Sequence, residues 1–354
     1  MKIHVISGFL GSGKTTAILR ACVMLRRAGD YVAVITNDQG SKLVDGLVFQ
    51  QAGIPEKQVG GGCFCCNYRT LEDDIGLLSH TYKPDHVFAE AVGTCTDVVA
   101  TVVKPLQRSL DNVAKVSLTT IADTRLLWMM VKGNKLLADD ISYIYYKQLE
   151  EAELVILNKA DLADRFQMME VNEFLDGKFP GKQIIEQNSR LENGCTKWLT
   201  HLTSDLNERA DNSSFVIDYD RYASGEAAMA FLDQQLVIDA TNDNAQEAAL
   251  QLVKYFFKVV RRSKAGIGHV KFWLNGNKVS LTATGADEFS AIQVHSAESC
   301  DLLVNARVEV EPDSLKDMMN EAIGFVASEF DVRVGVIYTS HFKPAYPKPL
   351  HRIS

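Results

Sequence analysis

Five short runs in the first 200 residues are apolar almost throughout: KIHVIS (Lys2–Ser7), YVAVITN (Tyr31–Asn37), DHVFAEAV (Asp85–Val92), AKVSLTTIAD (Ala114–Asp123) and ELVILNK (Glu153–Lys159). A strand with one wet face alternates apolar and polar residues, whereas a strand covered on both faces does not, so these runs predict a buried parallel sheet. Between the first two runs, Lys14–Ala28 carries apolar residues at helical spacing and stops at Gly29, a residue suited to ending a helix. Right-handed crossovers then give a doubly wound, mainly parallel α/β sheet.

The texture changes at SDLNERADNSS, from Ser204, which is polar and turn-rich and reads as a linker. Beyond it the pattern predicts a strand near Leu236–Asp239, a helix over Ala245–Arg262, strands at Gly268–Leu274 and Lys278–Thr284, and a strand at Asp301–Val310. A helix over Ser314–Phe330 and a strand at Val332–Thr339 follow. That order suits a smaller α+β layer of split βαβ character, so two domains are expected, 1–203 and 204–354. The tail FKPAYPKPLHRIS is interrupted by proline and is read as irregular.

Composition narrows the function. The 354 residues are 46% hydrophobic and 23% charged, ordinary for a folded globular chain. A formal charge of −8 argues against a nucleic-acid partner, which calls for a basic face; the run Arg261-Arg262-Ser263-Lys264 reads as a solvated helix end. Met1–Ser7 runs straight into a strand without a secretory leader, and no apolar run is long enough to span a membrane. A cytoplasmic location is the expectation, and there clustered thiols point to metal or redox chemistry rather than disulfides.

GFLGSGKTT follows the first strand and satisfies the phosphate-loop pattern with Gly8, Gly13, Lys14 and Thr15. Its glycines, with Gly11, Ser12 and Thr16 between and after them, let backbone N–H groups turn toward phosphate oxygens while the helix directs its positive end at them. Lys14 would neutralise the β- and γ-phosphates and Thr15 would ligate magnesium. LVILNKAD places Asn158, Lys159 and Asp161 at a later strand end; a carboxylate there pairs with two donors of guanine that adenine lacks, which points to GTP. Ser189 and Gly194 in NSRLENG are a candidate base-side loop, or a plain turn.

In FAEAVG, Glu90 ends a buried strand and is a candidate to hold magnesium, and Gly93 is a candidate to donate to the γ-phosphate. In TNDQGSKLVD, Asn37, Asp38 and Asp45 are candidates to contact magnesium or to place the attacking water. Lys14, Asp38 and Glu90 are thus the expected catalytic residues.

Between these two loops lies GGCFCCN, with Cys63, Cys65 and Cys66. Three thiolates bind a soft or borderline divalent ion, zinc by affinity and cobalt or nickel by supply or geometry. A Cys-x-Cys redox pair and an iron–sulfur cluster are the alternatives; the sequence context of the first lacks the thioredoxin-like Cys-x-x-Cys helix start, and the second calls for a fourth ligand such as Cys95 or a second chain. Cys95 is a candidate fourth ligand or a packing thiol. Cys22, Cys195 and Cys300 stand singly and read as packing, and the eight histidines show no metal-ligand spacing.

The order of GFLGSGKTT, TNDQG with Asp45, GGCFCCNYRTL, EAVG and LNKAD resembles that of CobW-like GTPases, in the metallochaperone branch of phosphate-loop GTPases that also holds nickel-insertion proteins for hydrogenase and urease. The resemblance covers Met1 to about Leu199. It implies a P-loop NTPase fold, metal binding by Cys63, Cys65 and Cys66, a second switch at Glu90 and Gly93, and guanine reading by Asn158 and Asp161. Val92 and Cys95-Thr96-Asp97 depart from the serine and the Ala-Asp-Pro of many relatives, and the histidine-rich storage stretch of some members is absent. The expectation is a GTP-hydrolysing metallochaperone that uses GTP and magnesium to deliver zinc or cobalt to a client protein or cofactor pathway, a corrinoid one included, with a nucleotide- or metal-dependent homodimer as one form. The alternatives are a regulatory GTPase with a structural zinc and a protein-binding C-terminal domain, and a nucleotide kinase, which the guanine-reading pattern disfavours.

Overall fold

The computed structural model describes residues 1–40, 44–110, 113–204, 215–287, 289 and 292–353. The first part runs β1 (Lys2–Ser7), α1 (Lys14–Ala28), β2 (Val32–Asn37), α2 (Val44–Gln51), β3 (Glu56–Val59), α3 (Tyr68–Tyr82), β4 (His86–Glu90), α4 (Lys104–Ser109), β5 (Lys115–Asp123), α5 (Thr124–Val131), α6 (Asp139–Glu151), β6 (Leu154–Asn158), α7 (Arg165–Lys178), β7 (Gln183–Glu186) and α8 (Thr196–Thr203). Its strands form a seven-stranded sheet in the order β3-β2-β4-β1-β5-β6-β7, with every pairing parallel. All five apolar runs are strands of this sheet. The central ones are buried on both faces, which is why their sequences do not alternate.

Reversal of the strand order at β1 opens a crevice above the carboxyl ends of β1, β2 and β4, where ligands of such sheets collect. α1 starts at Lys14 and ends at Ala28 as the spacing predicts, and Gly29, at φ 100°, closes it by donating to Arg26 O.

The second part runs α9 (Tyr219–Ala227), β8 (Ala230–Ala240), α10 (Ala245–Arg262), β9 (Ile267–Leu274), β10 (Asn277–Thr282), β11 (Gly285–Ala286), β12 (Ser299–Val308), α11 (Pro312–Phe330) and β13 (Val332–Phe342). A six-stranded antiparallel sheet in the order β11-β10-β9-β12-β8-β13 results. β12 lies antiparallel between β8 and β9, so β8-α10-β9 is the split βαβ unit that the pattern predicts. α10 and α11 pack one face of this sheet through Ala248, Leu252, Phe256, Met319 and Val326, all fully buried. β8 begins at Ala230, six residues before the strand expected at Leu236, because Asp233 and Gln234 hid a stretch that is buried polar rather than exposed. The predicted linker falls on 204–214, of which only Ser204 lies within the described residues.

Candidate functional site

The turn from β1 to α1 depends on glycine where the chain crosses itself. Gly8, Gly11 and Gly13 take φ of 133°, 76° and 94°, and a Cβ on Gly8 would strike the carbonyl of Ile121. Lys14, 8% exposed, donates from Nζ to Gly8 O at 2.7 Å. Burial pulls its pKa down while Glu90 opposes that pull. Thr15 Oγ1 donates to Glu90 Oε1 at 2.9 Å, and Glu90 Oε2 is buried without a partner among the described residues. Burial, with Asp45 adding, pushes the Glu90 carboxyl up against the pull of Lys14. A hydroxyl beside an unsatisfied buried carboxylate oxygen is a donor set that suits magnesium. Ser12 Oγ is likewise buried and unpartnered, and Thr16 is partly buried on the first turn of α1. Gly93 packs on the same turn, where a Cβ would meet Leu10 N at 2.9 Å.

On the base side, Asn158 Nδ2 donates to Ser12 O at 2.8 Å, while its Oδ1 accepts from Ser189 Oγ at 2.7 Å. Lys159, at φ 57°, donates to Gly11 O at 2.8 Å and pairs with Asp123 at 2.7 Å. Asn158 and Lys159 therefore brace the phosphate loop against the later loops, and Asp161 is the carboxylate of the motif that stands exposed. Gly194 closes the Ser189 turn by donating to Leu191 O at 3.1 Å.

Asp38 and Asp45 are brought to the crevice but are engaged by the second sheet. Arg307 Nη2 donates to Asp38 Oδ1 at 2.9 Å, and Lys271 Nζ lies 2.5 Å from Asp45 Oδ2. Lys278 stands 3.7 Å from the other oxygen of Asp45. Histidines without metal-ligand spacing are expected at the surface or as satisfied core residues, and His4 is the latter, bonding His86 at 2.9 Å and Ser117 at 3.0 Å. The expectation fails at His269, whose buried Nε2 has no partner among the described residues.

The three thiols converge. Cys63 Sγ lies 2.7 Å from Cys65 Sγ and 3.4 Å from Cys66 Sγ, with 3.9 Å between Cys65 and Cys66. The Cys65, Cys66 and Cys95 side chains hold the Cys63 thiol well below its ordinary range, and Cys65 and Cys95 are pushed up in return. Cys95 thus touches the cluster, while the three-sulfur group itself is Cys63, Cys65 and Cys66. Cys22 and Cys195 lie in the core against Trp198, as expected of packing thiols, and burial pushes Cys195 up to about 12.

Asn37 clasps the thiol loop from β2. Its Oδ1 accepts from Phe64 N at 2.9 Å, and its Nδ2 donates to Gly62 O and Val59 O, both at 2.8 Å. The next residue is Asp38. α9, which the sequence pattern did not reveal, adds Glu226 and Tyr222 from above. Glu226 accepts from Thr94 at 2.7 Å and Gln39 at 3.1 Å, and burial, with the negative charge of Cys63 adding, pushes it up to about 8. The tail is irregular as expected, yet it is strapped down over the thiols. Leu350 N donates to Cys65 O at 2.8 Å, Lys348 N to Cys66 Sγ at 3.4 Å and Ile353 N to Ala100 O at 2.9 Å, while Arg352 pairs with Asp97 at 2.8 Å.

Sequence reasoning missed Lys271, Lys278, Arg307, Asp233 and Glu226. In β9 and β10 the polar positions recur every second residue, the same signal a solvated face gives, so no local feature separates the two cases.

With this geometry in view, known proteins supply the context. The zinc chaperone CobW of Sinorhizobium sp is 32% identical over 186 residues, 45% of this chain and 51% of that protein. The zinc chaperone CobW of Pseudomonas aeruginosa is 28% identical over 228 residues, 54% and 57% of the two chains. The chain spans about half the length of these curated relatives. Among solved structures, HypB from Helicobacter pylori in complex with nickel overlaps 57% of this chain and 85% of that one at 18% identity, with a TM-score of 0.42, too distant to bear on function. The family described as CobW/HypB/UreG, nucleotide-binding domain, matches residues 2–186, the stretch that carries the phosphate loop, the thiols and Asn158-Lys159-x-Asp161. That match takes in more than half of the chain, which therefore belongs to the CobW/HypB/UreG family.

Proposed function

We propose that this chain is a GTP-hydrolysing metallochaperone. Residues 1–203 hold GTP, with the phosphate loop and Lys14 on its phosphates and Asp161 on guanine. Thr15 and Glu90 hold magnesium, which supplies positive charge to the phosphates when bound. Asp38 and Glu90 orient the attacking water once Asp38 is released from Arg307. Cys63, Cys65 and Cys66 take zinc or cobalt as cargo, and residues 204–354 face the client. The relatives' names as zinc chaperones favour zinc; delivery to a client protein or cofactor pathway, a corrinoid one included, in the cytoplasm completes the reading, with a nucleotide-dependent dimer as the transfer form.

The observation that carries this reading is the Asn37 clasp. One residue from Asp38, a single side chain makes two hydrogen bonds to the loop that carries the thiols and a third to the end of β3 before it, so a shift of Asp38 on nucleotide binding or release would reach the thiols directly. Linkage makes the effect reciprocal, with coupling factors of about 5- to 150-fold in such systems. Zinc affinity measured with magnesium and a non-hydrolysable GTP analogue, with GDP, and with neither tests it: a severalfold difference is expected between the GTP-analogue and GDP states, and equal affinities defeat the coupling.

Contact of Cys95 with Cys63 favours a second reading, a regulatory GTPase whose four thiols close a structural zinc site. Slow zinc release to a chelator, identical in the two nucleotide states, would select it.

A further inference from the structure

The antiparallel sheet shows two unlike faces. In β9, Val270, Phe272 and Leu274 join the core under α10 and α11, which turns His269 and Lys271 the other way. In β10, Val279 and Leu281 face the core and Lys278 and Thr282 do not; β12 repeats the division with Val304 and Ala306 against Asn305 and Arg307. The polar face is not left to water but lies on the phosphate loop. A Cβ on Gly11 would meet Gly268 O at 2.8 Å and Thr282 Cγ2 at 2.9 Å, and a Cβ on Gly268 would meet Leu10 Cδ1 at 2.5 Å.

Buried lysines are costly unless anions match them. Here two lysines share one carboxylate, Asp45, while Lys14, a third buried cation, and Glu90 lie close enough to act on Lys271 and Lys278 or on Asp45. Their side chains are only 13% and 20% exposed for Lys271 and Lys278. Nearby, His269 Nε2, Glu90 Oε2 and Ser12 Oγ are buried without partners among the described residues. The cluster thus sets three lysines, Lys14, Lys271 and Lys278, against two carboxylates, Asp45 and Glu90, an excess of positive charge that an incoming anion would balance. When Lys271 leaves Asp45 for an incoming anion, Lys278, 3.7 Å from the other carboxylate oxygen, remains as its counter-ion.

We propose that Lys271 is a phosphate-contacting residue, supplied by the second sheet, which exchanges Asp45 for the terminal phosphate of a bound nucleoside triphosphate. The inference rests on the GTP-binding reading and deepens it: the second sheet reports whether the third phosphate is present. GDP offers no such oxygen at that depth, so Lys271 separates triphosphate from diphosphate, while Lys14 serves both.

Titration calorimetry of the full chain with magnesium and either GDP or a β,γ-imido GTP analogue tests this on wild type, Lys271→Met and Lys271→Arg. Lys271→Met is expected to weaken the analogue by roughly ten- to hundredfold, the worth of a charge-assisted hydrogen bond, and to leave GDP within about twofold. Lys271→Arg should recover most of the loss. Equal weakening of both nucleotides by Lys271→Met, or of neither, overturns the proposal while leaving the GTP reading standing. A wild type that binds neither nucleotide defeats both. If Lys271→Met does not melt as cooperatively as wild type, Lys271→Gln, which keeps a hydrogen bond to Asp45, carries the same comparison.

Discussion

Replacing Arg307 with methionine keeps the aliphatic stem and removes the guanidinium. In the wild type that group has no exposed surface; it donates to Asp233 Oδ1 at 2.8 Å, Asp38 Oδ1 at 2.9 Å, Ala306 O at 2.9 Å and Leu232 O at 3.4 Å, and lies 4.0 Å over the ring of Phe231. Asp38 is 14% exposed and can turn to water, so its loss is small. Asp233 has no exposure and among the described residues keeps only Asn305 Nδ2 at 2.8 Å, so the cost falls on its carboxylate. Leaving one partner of a buried pair costs about 3 to 5 kcal/mol. Protonation sets a ceiling: at neutral pH, about three units above the ordinary Asp value, taking up a proton costs about 4 kcal/mol at ~1.4 kcal/mol per unit. Burial already raises Asp233 even with Arg307 opposing, so the proton is the route of escape. The expected penalty is therefore about 3 to 4 kcal/mol at pH 7, shrinking by ~1.4 kcal/mol per unit toward pH 5. Urea unfolding followed through Trp273 fluorescence on β9 measures it. The Asp233→Asn/Arg307→Met double variant should recover more than half of the loss. A penalty below about 1 kcal/mol at pH 7, one that does not change with pH, or a double variant no better than the single would refute the reasoning.

Other predictions are shorter. Cys63→Ser removes the sulfur that lies nearest to the other two and should lower cobalt affinity by more than about a hundredfold, with weakening of the sulfur-to-cobalt charge-transfer absorption; an unchanged spectrum would place the metal elsewhere. Asn37→Ala cuts the clasp on the thiol loop and should bring the ratio of zinc affinities with and without the GTP analogue toward one, with nucleotide affinity itself changed less; a retained ratio would mean the coupling travels another way. Glu151, buried under Thr96 and Val99, is pushed up to about 8, above its unfolded value, so its favourable contribution is complete below the unfolded pKa and is lost as pH rises toward 8. Glu151→Gln should remove up to ~1.4 kcal/mol per unit of that fall between pH 5 and 8, and parallel stability curves for the two proteins would contradict it.

The parallel sheet was legible because burial on both faces leaves an unbroken apolar signature, as in VAVITN. The phosphate loop was legible because its glycines and Lys14 are fixed by local geometry. β3 and β7 escaped notice: EKQV and QIIE are edge strands of four residues, partly exposed and too polar to stand out. α9 was missed because YDRYASGEA spends its buried positions on Tyr222, Gly225 and Glu226, which look like surface residues until something covers them. Some of the predicted site residues do meet, Thr15 with Glu90 and Asn158 with the phosphate loop, but the partners of Asp38 and Asp45 come from far along the chain. Asp38 and Arg307 are 269 residues apart, and no local window relates them.

The strap over the thiols also has a place in time. Lys348, whose N–H reaches Cys66, follows it by 282 residues. At the usual pace of translation the thiols leave the ribosome on the order of 15 to 60 seconds before their cover is made. A nascent chain therefore presents Cys63, Cys65 and Cys66 bare to whatever metal the cell then offers, and acquires its closing segment only afterwards.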